Sequence, residues 1–581
     1  MRLPVLFVLI LIPVLALNCG GGGGGGNGGT DSTAPTAVPA LSDGSVLGQM
    51  SPVILTFSES MDTGSLTLSG DVSSEDDGGV WTTTVHTDDT LTISPSSSWT
   101  SGVSRSLTVD AKDLAGNAMS TLDISYDVRS GTFYYVSQSS GADTNDGLSP
   151  STPKRTIMEA VGAAPAGSDS AVLVAGGSYL VDSASSVATQ IAMKEEVSLY
   201  GGFAVDFTSR DPILNVSSIA DQGTSLGSGL TIWNRALEVG GGITTATVID
   251  GFSITGGAQV GDFAIGVYMN LGSVTLRNNT VDGGEALFNS YGIIDFSSAS
   301  VITGNTVSGG TGPESAWGIL ANDSTAVISG NSINGGIGSA QSLGITCSAG
   351  AAPTITDNLI DGGASPTFTY GVQSLGASPI LTRNTILGGA GTSLASWGVA
   401  ISSSGSPVVR NNAIRSGNGS VNGYGIVCDD VAAIIQNNTV SAASSLNAIA
   451  LNVFDSAPTI ENNILSTTSG LVRYCIRESN NSSDPAAVRN NDLFDCPTAL
   501  YYDEGSSFLT SIIAVNGLGD TTASGNVSVG PAFASTMDFH LTVTSPALVT
   551  EGALDLSGSF TTDRDSTTRT APWSMGAYEQ D

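Results

Sequence analysis

Short runs of alternating apolar and polar residues recur through the central part of the chain, and each run contains Asn-x-Ile, Asn-x-Leu or Asn-x-Val. Such alternation is typical of β-strands and differs from helical periodicity. Successive elements lie 25–28 residues apart, with about three short strands in each repeat. A near-constant period of this size predicts a solenoid, here a coil of parallel strands. The repeated asparagines, termed the asparagine ladder, are Asn279, Asn305, Asn331, Asn358, Asn384, Asn412, Asn438, Asn463 and Asn491.

A glycine followed by Val or Ile recurs in phase with this ladder, and in five repeats an aromatic residue precedes that glycine. The Ile two residues after the ring must face the core, so strand alternation predicts that the ring faces the core as well. The alternative is an outward stripe suited to stacking on sugar rings. These residues, termed the aromatic column, are Tyr291, Trp317, Tyr370, Trp397 and Tyr424.

A pair of glycines follows the Asn element in most repeats, as in Gly283-Gly284 and Gly309-Gly310. Glycine adopts positive φ without steric cost. We therefore expect these pairs to form the turn that follows each Asn-x-Ile strand.

The first residues combine Arg2 with an apolar run that stops just before Cys19. Residues 1–18 are predicted to be a secretory leader, because the run is too short to span a membrane. This stretch resembles a bacterial lipoprotein signal, which implies lipidation of Cys19 and a flexible Gly-rich tether over residues 19–30. An ordinary secreted protein with a free Cys19 is the alternative. Cys19 is followed by Gly and not by Asp, and in this it resembles lipoproteins that are sorted to the outer membrane or cell surface.

Residues 31–129 lack the ladder and contain short alternating strands separated by turn residues, which predicts a β-sandwich. The phrases FSESMD at 57–62 and DLAGN at 113–117 resemble a bacterial Ig-like domain. That resemblance implies a spacer or adhesive module. Asp113 and Asn117 suggest either a calcium site or a turn, and we expect the turn because both side chains readily bond their own backbone.

Residues 131–581 begin with the strand YYVS at 134–137 and end with GAYE at 576–579. Together with the ladder, these segments resemble bacterial right-handed parallel β-helix proteins of the pectate-lyase-like superfamily. The resemblance implies an all-β protein, in which a right-handed parallel β-helix of about 26 residues per coil follows a small Ig-like β-sandwich.

The ends of a solenoid need covering, because a terminal coil otherwise exposes its core. We expect an N-terminal cap within residues 131–180, including a helix over residues 154–164. Residues 530–581 are expected to form the C-terminal closing segment.

The formal net charge is -34, from 18 basic and 52 acidic residues. Such a surface repels nucleic acid and anionic lipid, so we expect no nucleic-acid partner and membrane contact only through the anchor. Two histidines and the absence of a Cys/His cluster argue against a zinc site.

The cysteines of the coil are predicted to be buried free thiols that act as small hydrophobic residues. Cys347 and Cys428 occupy equivalent positions three repeats apart, which is too far for a disulfide. Cys475 and Cys496 lie in neighbouring repeats at different offsets, so pairing remains the alternative for them.

Catalysis on a glycan would need carboxylates at nearby offsets on adjacent repeats. Asp429 and Asp430 form the only adjacent acidic pair within the ladder region, and Arg415 is the nearby basic residue. Other charges have a structural explanation. The pairs Asp357 with Arg383 and Glu461 with Arg489 occupy equivalent positions on adjacent repeats, where each can form a salt bridge.

The sequence therefore favours a monomeric cell-surface lipoprotein whose non-catalytic β-helix binds a polysaccharide or a surface partner. No cofactor is expected, although calcium remains open. One alternative is a polysaccharide lyase or glycoside hydrolase acting on acidic glycans, with Asp429, Asp430 and Arg415 as the candidate residues. A structural rod without a ligand is the second alternative.

Overall fold

A computed structural model describes residues 31–181, 191–222, 233–257, 262–389, 393–504 and 507–580. The predicted leader, Cys19 and the tether lie outside the described residues. Within the described ranges no helix is long and apolar enough to cross a membrane.

The N-terminal domain is a sandwich of two four-stranded sheets whose inner faces meet around the buried Trp99. The strands of the first sheet, in spatial order, are Ala37–Pro39, Val53–Phe57, Thr90–Ile93 and Val80–Thr82. Those of the second are Ser45–Gly48, Leu122–Arg129, Gly102–Asp113 and Met61–Ser69. A 3₁₀ turn spans Asp71–Ser74. The DLAGN segment forms the expected turn, because Asn117 donates from its backbone N to Asp113 Oδ1 at 2.8 Å and from Nδ2 to Oδ2 at 2.7 Å.

The rest of the chain winds through about 11 coils, and each complete coil contributes one strand to each of three long sheets. Within the described residues, sheet A has 14 strands: Phe133–Val136, Ser170–Ala175, Val197–Phe203, Val248–Asp250, Thr275–Arg277, Val301–Thr303, Val327–Ser329, Thr354–Thr356, Ile380–Thr382, Val408–Arg410, Ile434–Gln436, Thr459–Glu461, Ala487–Arg489 and Thr522–Ser524. Sheet B has 12 in the same described ranges: Gly177–Val181, Ser217–Asp221, Phe252–Thr255, Thr280–Asp282, Thr306–Ser308, Ser332–Asn334, Leu359–Asp361, Thr385–Leu387, Ala413–Gly419, Thr439–Ser444, Ile464–Ser469 and Asp492–Phe494.

Sheet C, the third, has 13 described strands: Ile191–Ala192, Trp233–Val239, Phe263–Asn270, Asn289–Phe296, Ser315–Asn322, Gln341–Ser348, Phe368–Leu375, Ala395–Ser402, Asn422–Asp429, Asn447–Phe454, Val472–Glu478, Ala499–Asp503 and Ser507–Leu509. Two short strands, Thr311–Gly312 and Ile337–Gly338, pair beside it. The pairing between coils is parallel throughout, and only the last strand of sheet C returns antiparallel.

Left-handed residues form the corners between the sheets. One precedes each ladder asparagine from Asn279 to Asn491, as Asn437 does with φ 52°, and another follows each sheet C strand from Phe263–Asn270 to Asn447–Phe454, as Asp430 does with φ 51°. The second glycine of the predicted pairs forms the third corner, where Gly284 has φ 82° and Gly336 has φ 84°. These three corners give the coil its three-sided section.

The asparagine ladder closes each coil through buried hydrogen bonds. Nδ2 of Asn358 lies 2.9 Å from the carbonyl oxygens of Thr356 and Ile328, and 3.0 Å from Oδ1 of Asn384 in the next coil. Its own Oδ1 accepts from the backbone N of Asn331 at 2.9 Å. Repetition of this geometry aligns equivalent residues of successive coils, as in the amide ladders of cross-β structures.

The ladder is longer than the sequence period indicated. The backbone N of Asn491 donates to Oδ1 of Asn526 at 3.0 Å, and the ladder then ends at Asn516. Asn526 follows Asn491 by 35 residues, which is longer than the repeat of the other ladder positions, so the period did not indicate it. The apolar residue two positions after each asparagine of the periodic series, such as Ile333 and Ile360, is buried in one continuous core.

Both ends of the coil are covered. Helix α1, Ile157–Ala163, buries Ile157 and Val161 against the first coil. At the other end the antiparallel strand of sheet C and helix α2, Ile512–Val515, lie over the last coil, with Val515 in the core.

The predicted closing segment, 530–581, is described as far as residue 580, and this part runs back along the corner between sheets A and B and includes helix α3, Ala547–Thr550. The corner asparagines bind it: Asn411 donates to the carbonyl oxygen of Thr562 at 2.8 Å, and Asn490 donates to that of Gly552 at 2.7 Å.

A buried charge network joins the N-terminal domain to the first coils. Arg277 donates to Asp127 of the sandwich at 2.9 Å and to Asp250 of sheet A at 2.5 Å. Arg210 pairs with the other oxygen of Asp250 at 2.6 Å, and the hydroxyl of Tyr200 donates to Asp127 at 2.6 Å. Removing one member of such a network leaves a buried charge unpaired, so these contacts hold the two domains in a defined orientation.

The pairing of Cys475 with Cys496 corrects the prediction of free thiols, since their Cα atoms lie 5.5 Å apart in a disulfide. Cys475 faces inward from sheet C, and Cys496 follows the next sheet B strand into the same corner, so different sequence offsets converge in space. Cys347 and Cys428 are free and buried, as predicted.

The two predicted salt bridges between adjacent coils are present. Arg383 donates to Asp357 at 2.7 Å. Arg489 donates through Nε to Glu461 at 2.9 Å.

Asn358→Ala should lower the free energy of unfolding by about 2–4 kcal/mol, because it leaves buried donors of Asn331 without an acceptor. The matched control is Asn334→Ala, which removes an exposed side chain that accepts only from Gly336 and should cost under about 1 kcal/mol. Urea unfolding followed by circular dichroism measures both. Equal losses for the two variants would contradict the assigned role of the ladder.

Candidate functional site

The outer face of sheet C carries an elongated groove of about 540 Å³ over the coils from Tyr370 to Ser479. Its floor is a single register column of five residues, one from each coil: Gln373, Ala400, Val427, Asn452 and Arg477. One wall consists of Tyr370, Trp397 and Tyr424, and the other of Leu375, Ser402, Asp429 and Phe454. Because parallel pairing places these residues in columns, the groove runs along the coil axis.

The aromatic column faces outward, which corrects the prediction that it packs in the core. The ladder glycine breaks the strand alternation: a Cβ on Gly398 would lie 2.5 Å from Cγ2 of Ile414 and 2.6 Å from the carbonyl oxygen of Gly425. Gly398 and the buried Val399 therefore both face inward. Trp397, on the other side of the glycine, is left on the outer face and only partly buried.

The rings stack on one another along the axis. Centroids lie 4.4 Å apart for Tyr370 and Trp397, with planes 7° apart, and 5.6 Å apart for Trp397 and Tyr424. Tyr291 and Trp317 form a separate stack at 4.6 Å. Because neighbouring rings cover the flat faces that would stack on a sugar, those faces are not available for such contacts. The column therefore presents the edges of its rings to the groove. Burial raises the pKa of Tyr370 to about 12, which keeps its hydroxyl protonated as a donor.

The floor contains polar groups that the protein leaves available. Among the described residues, no hydrogen bond reaches the side-chain amide of Gln373, and Asn452 uses only its Oδ1, which accepts from Ser479 at 3.1 Å. Asn452 is only 7% exposed and lines the groove, and its Nδ2 remains free to donate. Arg477 hydrogen-bonds with the hydroxyl of Tyr424, and among the described residues it forms no salt bridge.

These floor residues were missed from the sequence. Each lies two positions after the ladder glycine or its equivalent, at a site whose residue type changes from coil to coil. Variable polar side chains at one repeated outward position are the feature that could have identified them.

The three candidate catalytic residues are not brought together. Asp429 lines the groove, and burial, followed by the charges of Asp430 and Asp455, raises its pKa. Asp430 occupies the exposed corner beside it. Arg415 belongs to sheet B, where its guanidinium lies 4.0 Å from the ring centroid of Phe539 and donates to the carbonyl oxygen of Thr536 at 3.0 Å. The prediction that Arg415 lies near Asp429 is therefore wrong.

A cluster of carboxylates that the sequence did not indicate lies at the C-terminal end of the coil. Oxygens of Glu478, Asp484 and Glu504 lie within 4.8 Å of one another, and Asp503 and Asp520 adjoin them. Glu478 directly follows Arg477 in the same strand, so the two side chains point to opposite faces of sheet C. Arg477 faces the groove and the buried Glu478 faces inward, so this cluster is separate from the groove. Burial, followed by a hydrogen bond with Glu504, raises the pKa of Glu478 to about 9.

Three family models match parts of the chain. Residues 31–128 match the bacterial Ig-like domain, residues 265–465 match the right handed beta helix region, and residues 139–360 match a protein of unknown function, DUF1565. A search of curated proteins finds no significant match. The crystal structure of PfbA, a surface adhesin of Streptococcus pneumoniae, aligns with 59% of this chain and 87% of its own length at 12% identity and a TM-score of 0.28. Similarity at that level establishes neither a shared fold nor a shared function.

Glu478→Gln should make the protein more resistant to alkaline pH. Because the folded pKa of Glu478 lies above its unfolded value, its contribution to stability is complete below about pH 4.5 and is lost as pH rises toward about 9. Glutamine keeps a buried amide there but removes the titration. The melting temperature of the variant should therefore rise relative to the wild type between pH 5 and pH 9.

The control is Glu285→Gln, at an exposed position elsewhere on the coil. Its melting temperature should follow that of the wild type at every pH. A Glu478→Gln curve parallel to the wild-type curve would show that Glu478 is ionised in the folded protein at neutral pH.

Proposed function

We propose that this protein, in which a bacterial Ig-like domain precedes a right-handed β-helix, is an exported surface protein that binds a polysaccharide without cleaving it. The observation that supports this most is the groove on sheet C, where the side-chain amide of Gln373 and the Nδ2 of Asn452 have no partner among the described residues, with Arg477 and the aromatic wall beside them. Donors and acceptors that are left available along a groove can bind the polar groups of a glycan.

The groove suits an extended ligand. Its floor column crosses five coils, which corresponds to roughly 19 Å at the usual strand spacing. Each coil contributes one residue to the floor and up to one to each wall at a constant spacing, although the residue types differ. A glycan chain that lies along the coil axis therefore meets a new set of side chains at each coil.

Binding without cleavage fits the distribution of acids. Glycoside hydrolysis uses two carboxylates that flank the scissile bond. Within the described residues, Asp429 is the only carboxylate that lines the groove. The raised pKa of Asp429 is the observation in favour of the alternative, a lyase or hydrolase acting on acidic glycans.

Export and anchoring complete the proposal. Leader, Cys19 and Gly-rich tether form the pattern of a lipoprotein, and the Ig-like domain would act as the spacer between membrane and coil. The disulfide between Cys475 and Cys496 fits an oxidising compartment outside the cytosol.

Ala400→Trp should abolish retention of the purified mature protein on immobilised polysaccharides, because the added ring fills the floor of the groove. Ser329→Trp is the matched control, since it adds the same side chain to the outer face of sheet A and should leave retention unchanged. Retention that survives Ala400→Trp would place binding elsewhere. Release of reducing or unsaturated sugar ends in the same mixtures would support the enzyme instead.

Cys19→Ser should move the full-length protein from the membrane fraction to the soluble exported fraction, because lipidation requires the thiol of this cysteine. Metabolic labelling with a fatty acid and cell fractionation measure the change. An unlabelled wild-type protein that is already soluble would contradict the anchor and leave the groove proposal intact.

A further inference from the structure

We propose that the groove selects an uncharged glycan that carries N-acetyl groups and discriminates against polyuronates. The inference rests on the proposed function and names the substrate class of the same site. It follows from the order of apolar, amide and charged groups along the floor and walls.

The centre of the floor is apolar. Ala400 and Val427 occupy adjacent coils in the floor column, and the residues of the far wall in the same two coils are Ser402 and Asp429. Small apolar side chains on the floor of a groove leave room for a methyl group and offer no hydrogen-bond partner to a hydroxyl. A plain polyhydroxylated sugar would lose hydrogen bonds with water here, whereas an acetyl methyl would bury apolar surface.

Amide groups lie on both sides of this apolar centre. Gln373 precedes Ala400 in the column, and Asn452 follows Val427. Each has a side-chain donor or acceptor that no described residue uses, and the Nδ2 of Asn452, a residue that is 7% exposed, is available to donate. An acetamido group offers one N–H donor and one carbonyl acceptor beside its methyl, which matches an amide next to an apolar floor.

Charge disfavours an acidic chain. Asp429 forms part of one wall. Burial raises its pKa, and the nearby charges of Asp430 and Asp455 raise it further. Arg477 is the one cation in the groove lining within the described residues, and the whole protein carries a net charge of -34. One guanidinium, already in contact with Tyr424, does not offset this field, so each carboxylate of a polyuronate would be repelled. Arg477 can instead donate to an acetyl carbonyl or a ring hydroxyl.

The test compares three hexasaccharides by isothermal titration calorimetry on the purified mature protein. N-acetylglucosamine and glucose hexamers with the same β-1,4 linkage differ only in the acetamido group, and a galacturonate hexamer supplies the carboxylates. The N-acetylated hexamer should bind at least about tenfold more tightly than the glucose hexamer, which is the lower limit for one methyl group in an apolar pocket. The galacturonate hexamer should bind most weakly, and its disadvantage should shrink as salt rises.

Two variants localise the effects. Val427→Thr, nearly isosteric, should reduce the preference for the N-acetylated hexamer over the glucose hexamer. Asp429→Asn should increase galacturonate affinity by roughly two- to fivefold at low salt.

Equal binding of the glucose and N-acetylated hexamers would overturn this inference and leave the proposed function standing. Preferred binding of galacturonate would also overturn it. Failure of all three to bind, together with failure of retention on any polysaccharide, would overturn the proposed function itself.

Discussion

The buried asparagine ladder is the interaction on which the rest of the structure depends. Each ladder side chain bonds its own coil, the coil before and the coil after, as Asn358 does through Thr356, Ile328 and Asn384. These contacts leave little freedom of register between coils, so every residue of a repeat stacks on its equivalent. A column on the outer face, such as the one from Gln373 to Arg477, is a direct consequence of that alignment. The groove is therefore a product of the scaffold and needs no loop of its own.

The two bodies packed on the coil leave the groove free. The Ig-like domain contacts sheet A through Arg277 and Tyr200, and the segment 530–581 follows the corner between sheets A and B. Among the described residues, neither forms a hydrogen bond with the groove lining on sheet C. The joint at Asp127 and Asp250 holds the Ig-like domain at the first coils, at a distance from the groove, which lies over later coils.

The fold was largely predictable because the ladder repeats one polar residue at one period, and both the three strands per coil and the Ig-like domain follow from such local patterns. The site was not predictable in the same way. Strand alternation placed Trp397 in the core, and the approach of Ile414 to Gly398 overrides that rule by forcing two successive residues inward. Asp429 and Arg415 are close in sequence yet lie on different sheets. Asn452 and Arg477 meet Gln373 only through stacking of whole coils. The pairing of Cys475 with Cys496 likewise depends on a corner where unequal offsets converge.

Hydrogen–deuterium exchange with and without the N-acetylglucosamine hexamer tests whether the ladder aligns a glycan-binding groove on sheet C. The backbone amides of the ladder should exchange slowly in both states. The hexamer should slow exchange only in the sheet C strands around Gln373, Val427 and Arg477. Protection confined to the corner after the sheet B strands, around Gly284 and Gly310, or no protection at all, would contradict this assignment.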